Sequence, residues 1–572
     1  MNKFRPIILA AAVILAAFMA YGLWTLPVPE SENADGFSSA RVVKDIKTIS
    51  EKPHSVAHPQ ELAKVRDYLV ERLEGLGAEV DLYRYDSVPG PKILGDEFRI
   101  EAVDILAEFP PLEGSDDASY LMFIAHYDSR HIQPMPKDTV LSNGAADDGY
   151  GIGVTLETVS QLLEVRDTWS QGVKILFTDA EESGMQGMKS IWENDRHVFD
   201  NVGLIINLEG RGTWGPALLF ETGSGNEKVM DLYASTAKYP YTYSLTTVVY
   251  GFMPNFTDFT IVKDELPGLN FSTIADINSY HTDKDNFANI SEKSIQHYGE
   301  QILPLAMQYV TDSAYADKNA LKGESDTVNF TIPGLGLFNV SKIIYVIINV
   351  AVFIVFLLLF ALEGLRGRLK PASVFRSSCS TLFIAIGVLA VGELIAYLSA
   401  VVSGARFKPF GIVQGVQFDN MAMLVSVAFL VLAAIFVYWV SRRNAARLTS
   451  GSMRTSAVAN AISKFVYTQL YGTLLLLFVL SAALVFTLGE NLMFFIPLVF
   501  STLAIVLWHV TNMKVWLLAG IVLILLHAFS FLFALAMALT IGAFGAVAML
   551  AFLDIMVLIP LADLYISAAK KK

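Results

Sequence analysis

From Ser341 onward the chain is a series of apolar runs that an ordinary soluble domain has no room to bury. Seven of them, at 341–362, 379–402, 421–441, 464–487, 491–510, 515–535 and 539–562, have spanning length, and an eighth lies at Pro6–Leu26. About 20 apolar residues, rising about 1.5 Å each, cross a hydrocarbon core of about 30 Å as a helix. With 53% hydrophobic and 17% charged residues, and a mean hydropathy of +0.46, the whole chain is too apolar for a soluble protein. The excess is local, because Asp35–Asp317 reads as a normal globular stretch. The expected organisation is a transmembrane anchor at 1–30, a folded domain at 31–318, a linker at 319–340 and an all-α polytopic membrane domain at 341–572.

A cleaved signal peptide is the rival reading of the first run, but no clear small-x-small site precedes Pro27, which favours an uncleaved anchor. Lys3 and Arg5 precede the first span. Arg366, Arg368, Lys370 and Arg376 follow the second, Arg442, Arg443, Arg447, Arg454 and Lys464 lie between the fourth and fifth, and Lys570–Lys572 close the chain. With eight spans these clusters share one side, which the positive-inside rule makes cytoplasmic, so the folded domain is expected outside the cytoplasm. The lone cysteine, Cys379, belongs to the membrane half, so the external domain is held by its core and not by disulfides. A cysteine-free domain and a short N-terminus suit a bacterial inner membrane facing the periplasm. Sequons at Asn255–Thr257 and Asn329–Thr331 keep a lumen-facing endomembrane or vacuole as the alternative. A net charge of −13 argues against a nucleic-acid partner; oligomeric state is open.

Within the external part, Pro59–Leu76 has a helical period, Glu79–Tyr85 alternates like a strand, and apolar strands at Tyr120–Ala125, Val173–Phe177, Val202–Leu208 and Leu266–Phe271 take turns with helices at Gly151–Leu163 and Ser294–Val310. That alternation predicts an α/β fold of three layers with a mostly parallel central sheet, whose ligands gather beyond the C-terminal strand ends. Three strands run straight into chemistry there. The first enters His126 in AHYDS, the second Asp179, Glu181 and Glu182 in TDAEESGMQG, the third Glu209 in NLEGRG. AADDGYG adds Asp147 and Asp148 before a helix, and SYHTDKDN adds His281.

His126, Asp147, Glu182, Glu209 and His281 are two imidazoles and three carboxylates, a donor set suited to Zn2+, and one carboxylate can bridge two ions. Such a pair acidifies a water and polarises a carbonyl, leaving Glu181 as a free carboxylate to carry the proton. Singly, each residue has an ordinary explanation: an acidic turn for Glu181–Glu182, a helix N-terminus for Asp147–Asp148, a core or surface position for either histidine. Five in this order at strand ends favour the metal site.

The ordered set HYDS, ADDGYG, AEESGMQG, NLEGRG and YHTDKDN resembles the co-catalytic zinc aminopeptidases of peptidase clan MH. More narrowly it is similar to their membrane-bound branch, the endoplasmic reticulum metallopeptidase and vacuolar membrane protease type, which TDF at Thr257–Phe259 also resembles. The resemblance covers about residues 40–310, and the membrane half only by layout. It implies that His126, Glu182 and Glu209 each bind metal, that Asp147 bridges two zinc ions and His281 completes the set, and that Glu181 is the general base. Asp128 is then a partner orienting the His126 imidazole, and Asp148 positions Asp147 across a cis peptide. Many soluble relatives have Asp where this chain has Glu209, which requires a slightly retracted backbone.

The function so implied is a membrane-anchored dinuclear zinc exopeptidase acting on peptides outside the cytoplasm, and an aminopeptidase by family resemblance. Two alternatives stand beside it: a glutaminyl cyclase-like acyltransferase with one zinc, and a catalytically silent receptor or assembly factor. An aminopeptidase needs an acid for the substrate ammonium and a carboxypeptidase a cation for the carboxylate, and Arg211, just behind Glu209, is such a cation. Tyr250, Phe252 and Tyr280 suit either a substrate pocket or core packing. His54, His58, His131, His197 and His297 are expected to be solvated or capping residues. In the membrane half Glu393, His527 and Asp554 are ionisable groups within apolar spans, expected to face one another or a water-filled cavity, and IGAFGAV at Ile541–Val547 suggests close helix packing.

Overall fold

Strands that are apolar along their whole length and helices that are apolar on every side need different solvents, and the chain divides accordingly into two folding units. In the computed structural model, which describes residues 4–112, 118–135, 139–251, 256–450 and 455–567, one unit comprises Trp24–Thr331 with Gly336–Ser341. The other comprises Met1–Leu23, Ile332–Leu335 and Lys342–Lys572.

The first unit is built on a seven-stranded sheet. In chain order its strands are Glu79–Pro89 (β1), Arg99–Phe109 (β2) and Tyr120–His126 (β3); then, after a two-residue pair Gln133–Pro134 (β4) and Thr139–Val140 (β5), Gly172–Thr178 (β6), Val202–Gly210 (β7), Trp214–Thr222 (β8) and Gly268–Ala275 (β9). The spatial order is β1-β2-β6-β3-β7-β9-β8. The four central strands β6, β3, β7 and β9 are mutually parallel, and antiparallel partners close both edges. β6 and β7 are buried at every position, as strands covered on both faces must be.

The period of two assigns alternate side chains to two helical layers. Phe123, Ile175, Phe177, Ile206 and Leu208 pack into a core with the helices Ser39–Ile49, Pro59–Gly75, Gly149–Leu163 and Glu292–Thr311. Met122, Ile124, Leu176 and Ile205 pack on the other face with Gln186–Asn194 and Phe259–Val262. This is the expected three-layer α/β arrangement. Each large apolar side chain so buried contributes about 1.5–3 kcal/mol. The in-register pairing of β3 with β6 sets His126 beside Thr178, so the chain leaves both strands at one edge.

Three features depart from the sequence reading. β2 and β8 belong to the sheet although neither stands out as an apolar run. β2 carries Asp104 at full burial in its middle, and β8 pairs with β9 through two irregular registers. β9 is shifted to Gly268–Ala275 from 266–271, because Pro267 cannot donate to the ladder. His54, His131 and His297 are buried and not solvated, while His197 is exposed.

In the second unit, seven described helical stretches are long and apolar enough to cross a membrane: Arg5–Gly22, Lys342–Leu365, Pro371–Ser403, Asn420–Arg447, Ala457–Thr487, Leu492–Thr511 and Val515–Ile566. The last has 52 residues, and a 3-10 turn at Thr540–Ala543 divides it into two helices, Val515–Leu539 and Phe544–Ile566, that pack together. Gly392 and Gly545 let two helices touch, since a Cβ on Gly392 would lie 2.6 Å from Gly545 Cα. Glu393 accepts from Gly545 N at 3.2 Å, at the start of the last helix. Of the positive clusters, Arg366 and Arg368 both bond Glu363, and Arg442 bonds Asp563. Lys3, Arg454 and Lys570–Lys572, like Phe252 and Asn255, lie outside the described residues.

Candidate metal centre

Where β3 ends, the His126 ring is held by Asp128, whose main-chain oxygen lies 3.0 Å from Nδ1 and whose carboxylate lies 3.5 Å away. That leaves Nε2 directed at Asp147 Oδ1, 3.2 Å away, and Glu209 Oε2, 3.9 Å away. The other oxygen of Asp147, Oδ2, lies 3.2 Å from His281 Nε2, which is in turn 3.1 Å from Glu182 Oε1. The five residues therefore form two triads sharing Asp147: His126, Asp147 and Glu209, and Asp147, Glu182 and His281. Within each, one donor atom per residue falls inside 4.8 Å of the others.

Local backbone explains how they converge. β6 stops at Thr178, and Ala180, in the left-handed region at φ 56°, turns the chain so that Glu181 and Glu182 fold back over the sheet edge. The Asp128 carboxylate pins that turn, accepting from Glu181 N at 2.9 Å and Glu182 N at 3.3 Å. Asp128 thus serves the glutamate turn as well as the imidazole. Asp148, joined to Asp147 by a cis peptide, ties strand to helix: its carboxylate accepts from His126 N at 3.3 Å and from Gly151 N at 3.0 Å. Gly210 is required by a close approach, because a Cβ there would lie 1.7 Å from Ala146 O, on the loop that carries Asp147.

Several supporting residues escape sequence reading. Asp285 accepts from Ala146 N at 2.7 Å, Ser142 Oγ at 3.0 Å and Asp147 N at 3.4 Å, shaping the loop before the shared carboxylate. Asn207 donates to Glu209 Oε1 at 3.0 Å. Arg130 bonds Glu182 Oε2 at 2.8 Å, and Tyr280 stacks on His281 with ring centroids 3.6 Å apart. The one signal for Arg130 is a cation four positions after His126. Asp285 and Asn207 are ordinary residues of a loop and a strand until the fold brings them in.

The electrostatics are those of crowded carboxylates. Burial pushes Glu209 up to about 8, and burial with the neighbouring Asp128 pushes Asp179 to about 7. Burial also raises Glu181 well above the usual carboxylate range, opposed by His126 and reinforced by Glu209 and Asp258. For Glu182 burial acts upward too, but His281 and Arg130 outweigh it and hold the carboxyl well below its usual value. So many buried acids beside one arginine and two imidazoles must either take up protons or share cations. Asp147 Oδ2, Glu182 Oε1 and His281 Nε2 are buried and make no hydrogen bond. All three belong to one triad, and this donor set fits a divalent cation with nitrogen and oxygen preference.

Residues 105–306 match Peptidase family M28. The chain is 24% identical over 437 residues to Endoplasmic reticulum metallopeptidase 1 of Mus musculus, covering 69% of this chain and 46% of that one. It is 28% identical over 262 residues to a Vacuolar membrane protease of Candida dubliniensis, covering 44% of this chain and 26% of that one. The matched part thus spans less than half the length of these relatives. Among solved structures, a glutaminyl cyclase of Porphyromonas gingivalis superposes with a TM-score of 0.38 at 19% identity, over 48% of this chain and 100% of that one.

Proposed function

The chain carries a Peptidase family M28 domain, and from that premise we propose that it is a membrane-anchored exopeptidase using two zinc ions, with its peptidase unit outside the cytoplasm. His126 and Glu209 would hold one ion, Glu182 and His281 the other, and Asp147 belongs to both sets. The observation that carries this reading is the arrangement of Asp147, with Oδ1 turned to one histidine at 3.2 Å and Oδ2 to the other at 3.2 Å. When bound, the two ions supply Lewis acidity to a peptide carbonyl and lower the pKa of the attacking water.

The side chains around them do the rest. Glu181 belongs to neither triad and is partly exposed, so it is the group to take a proton from water and return it to the leaving amine. Burial raises its carboxyl above the usual range, which strengthens its hold on the proton it carries. Arg130 and the Tyr280 ring keep Glu182 and His281 in place, and Asp128 fixes Glu181 relative to Glu182 through their amides.

The test is metal content and peptide turnover of the full-length protein, with and without chelator. Two zinc ions per chain, turnover lost on chelation, and a Glu181→Gln protein that keeps both ions but loses about 100-fold or more in kcat are expected. One zinc per chain with cyclisation of glutaminyl peptides would replace this reading by the acyltransferase. Full zinc content with no turnover of any peptide would replace it by a silent binding protein.

A further inference from the structure

Arg211 directly follows Gly210, the last residue of β7, and is two positions beyond Glu209. The chain leaves the sheet at this residue, so Arg211 stands at the same strand end as the candidate ligand Glu209. The backbone there is held by a hydrogen bond from Arg211 N to Ser272 Oγ at 3.0 Å. Its charge acts on the hydroxyls of Tyr250 and Tyr280, two residues whose own environment includes Glu181. Tyr280 is the ring stacked on His281.

No carboxylate among the described residues neutralises this arginine. Four acids of this region have other partners: Glu209 takes Asn207, Glu182 takes Arg130, Glu221 takes Lys263 at 2.6 Å, and Asp276 takes the Thr213 and Ser279 hydroxyls. Arg211 Nη2 is buried with no hydrogen-bond partner, while the residue as a whole is partly exposed. An unmet buried donor costs about 1–3 kcal/mol, which a ligand acceptor would recover. A planar guanidinium with a buried, unpartnered nitrogen suits carboxylate recognition.

We propose that Arg211 is a carboxylate receptor, so that the preferred substrate carries a free carboxylate on the residue following the scissile bond. The proposal rests on the peptidase reading above and sharpens it: the enzyme reads the C-terminal end of short peptides, as a dipeptidase or carboxypeptidase does, instead of trimming long chains from the amino end alone. The carboxylate has two possible sources, the α-carboxylate of the last residue and an acidic side chain.

Full-length, zinc-loaded protein is assayed on Ala-Ala against Ala-Ala amide for the first source, and on Ala-Glu amide against Ala-Gln amide for the second. The acid of at least one pair is expected to be cleaved with about 10- to 100-fold higher kcat/KM than its neutral partner, mostly through KM. Arg211→Gln removes that preference by slowing the acid, and Arg211→Lys restores part of it. Equal rates within both pairs, or a preference that survives Arg211→Gln, overturn the proposal. Calorimetry on the Glu181→Gln protein separates the two levels of inference. Tighter binding of the acid by a wild-type Arg211 supports the receptor even if no peptide is ever cleaved, whereas equal binding of acid and amide removes it even if the enzyme is active.

Discussion

Asp147 concentrates most of what one residue contributes here, because its two oxygens face different histidines. Asp147→Asn is therefore expected to lower zinc content toward zero, and His281→Ala or His126→Ala toward one per chain, read by metal analysis after gel filtration. Loss of both ions in His281→Ala would argue against separable sites. His297 makes a different kind of prediction. Burial lowers its pKa from 6.5 to about 3, and its Nδ1 accepts from Ala217 N at 3.1 Å and from Gln301 Nε2 at 3.0 Å. With the folded value below the unfolded one, the unfolded chain binds the proton first. The stability contribution is thus complete above pH 6.5 and is lost as pH falls toward 3. Between pH 7 and 5 the loss is about 2 kcal/mol by linkage. Hydrogen-exchange protection in Glu292–Thr311 should fall by that amount in the wild type and lose this slope in His297→Gln; parallel slopes would refute it. Spacing alone offers nothing to separate this buried histidine from an exposed one such as His197.

Strand ends do the positioning at the next scale. β3, β6 and β7 are parallel, so their C-terminal ends arrive at one edge carrying His126, Glu181–Glu182 and Glu209. Each of these strands was legible because it is apolar throughout. β2 was not, since Asp104 interrupts its pattern, and the reason is structural: Asp104 accepts from Asp179 N at 2.9 Å beneath the glutamate turn. The meeting of β7 with the Asp147 loop turns on Gly210. Gly210→Ala forces Ala146 away and should abolish zinc binding at the His126–Glu209 triad while leaving the circular dichroism of the full-length protein nearly unchanged; retained binding at wild-type affinity would show that the loop yields. In the membrane unit, Gly545 lies 2.4 Å, counted from a hypothetical Cβ, from Leu389 O. Gly545→Leu is expected to separate those helices and lower the thermal aggregation temperature of the purified protein in detergent, and an unchanged temperature would refute the tight crossing.

For the whole molecule, the Lys and Arg clusters make a topological prediction. In a Cys379→Ser background, Lys92→Cys should react with a membrane-impermeant maleimide in intact cells and Arg443→Cys only after lysis, both positions being exposed. The reverse pattern would invert the proposed orientation. The split into a polar α/β unit and an apolar helical one follows from the sequence alone, because hydrophobic length and period act locally and answer to solvent before any tertiary contact forms. The order of the candidate ligands was likewise readable, each standing where an apolar strand stops. Which oxygen of Asp147 faces which histidine, that Asp285 and Asn207 support the site, and that Arg211 is left without a partner are set only in three dimensions. Those relations join residues far apart in the chain, and they exist only once the sheet register and the close approach at Gly210 bring the loops together.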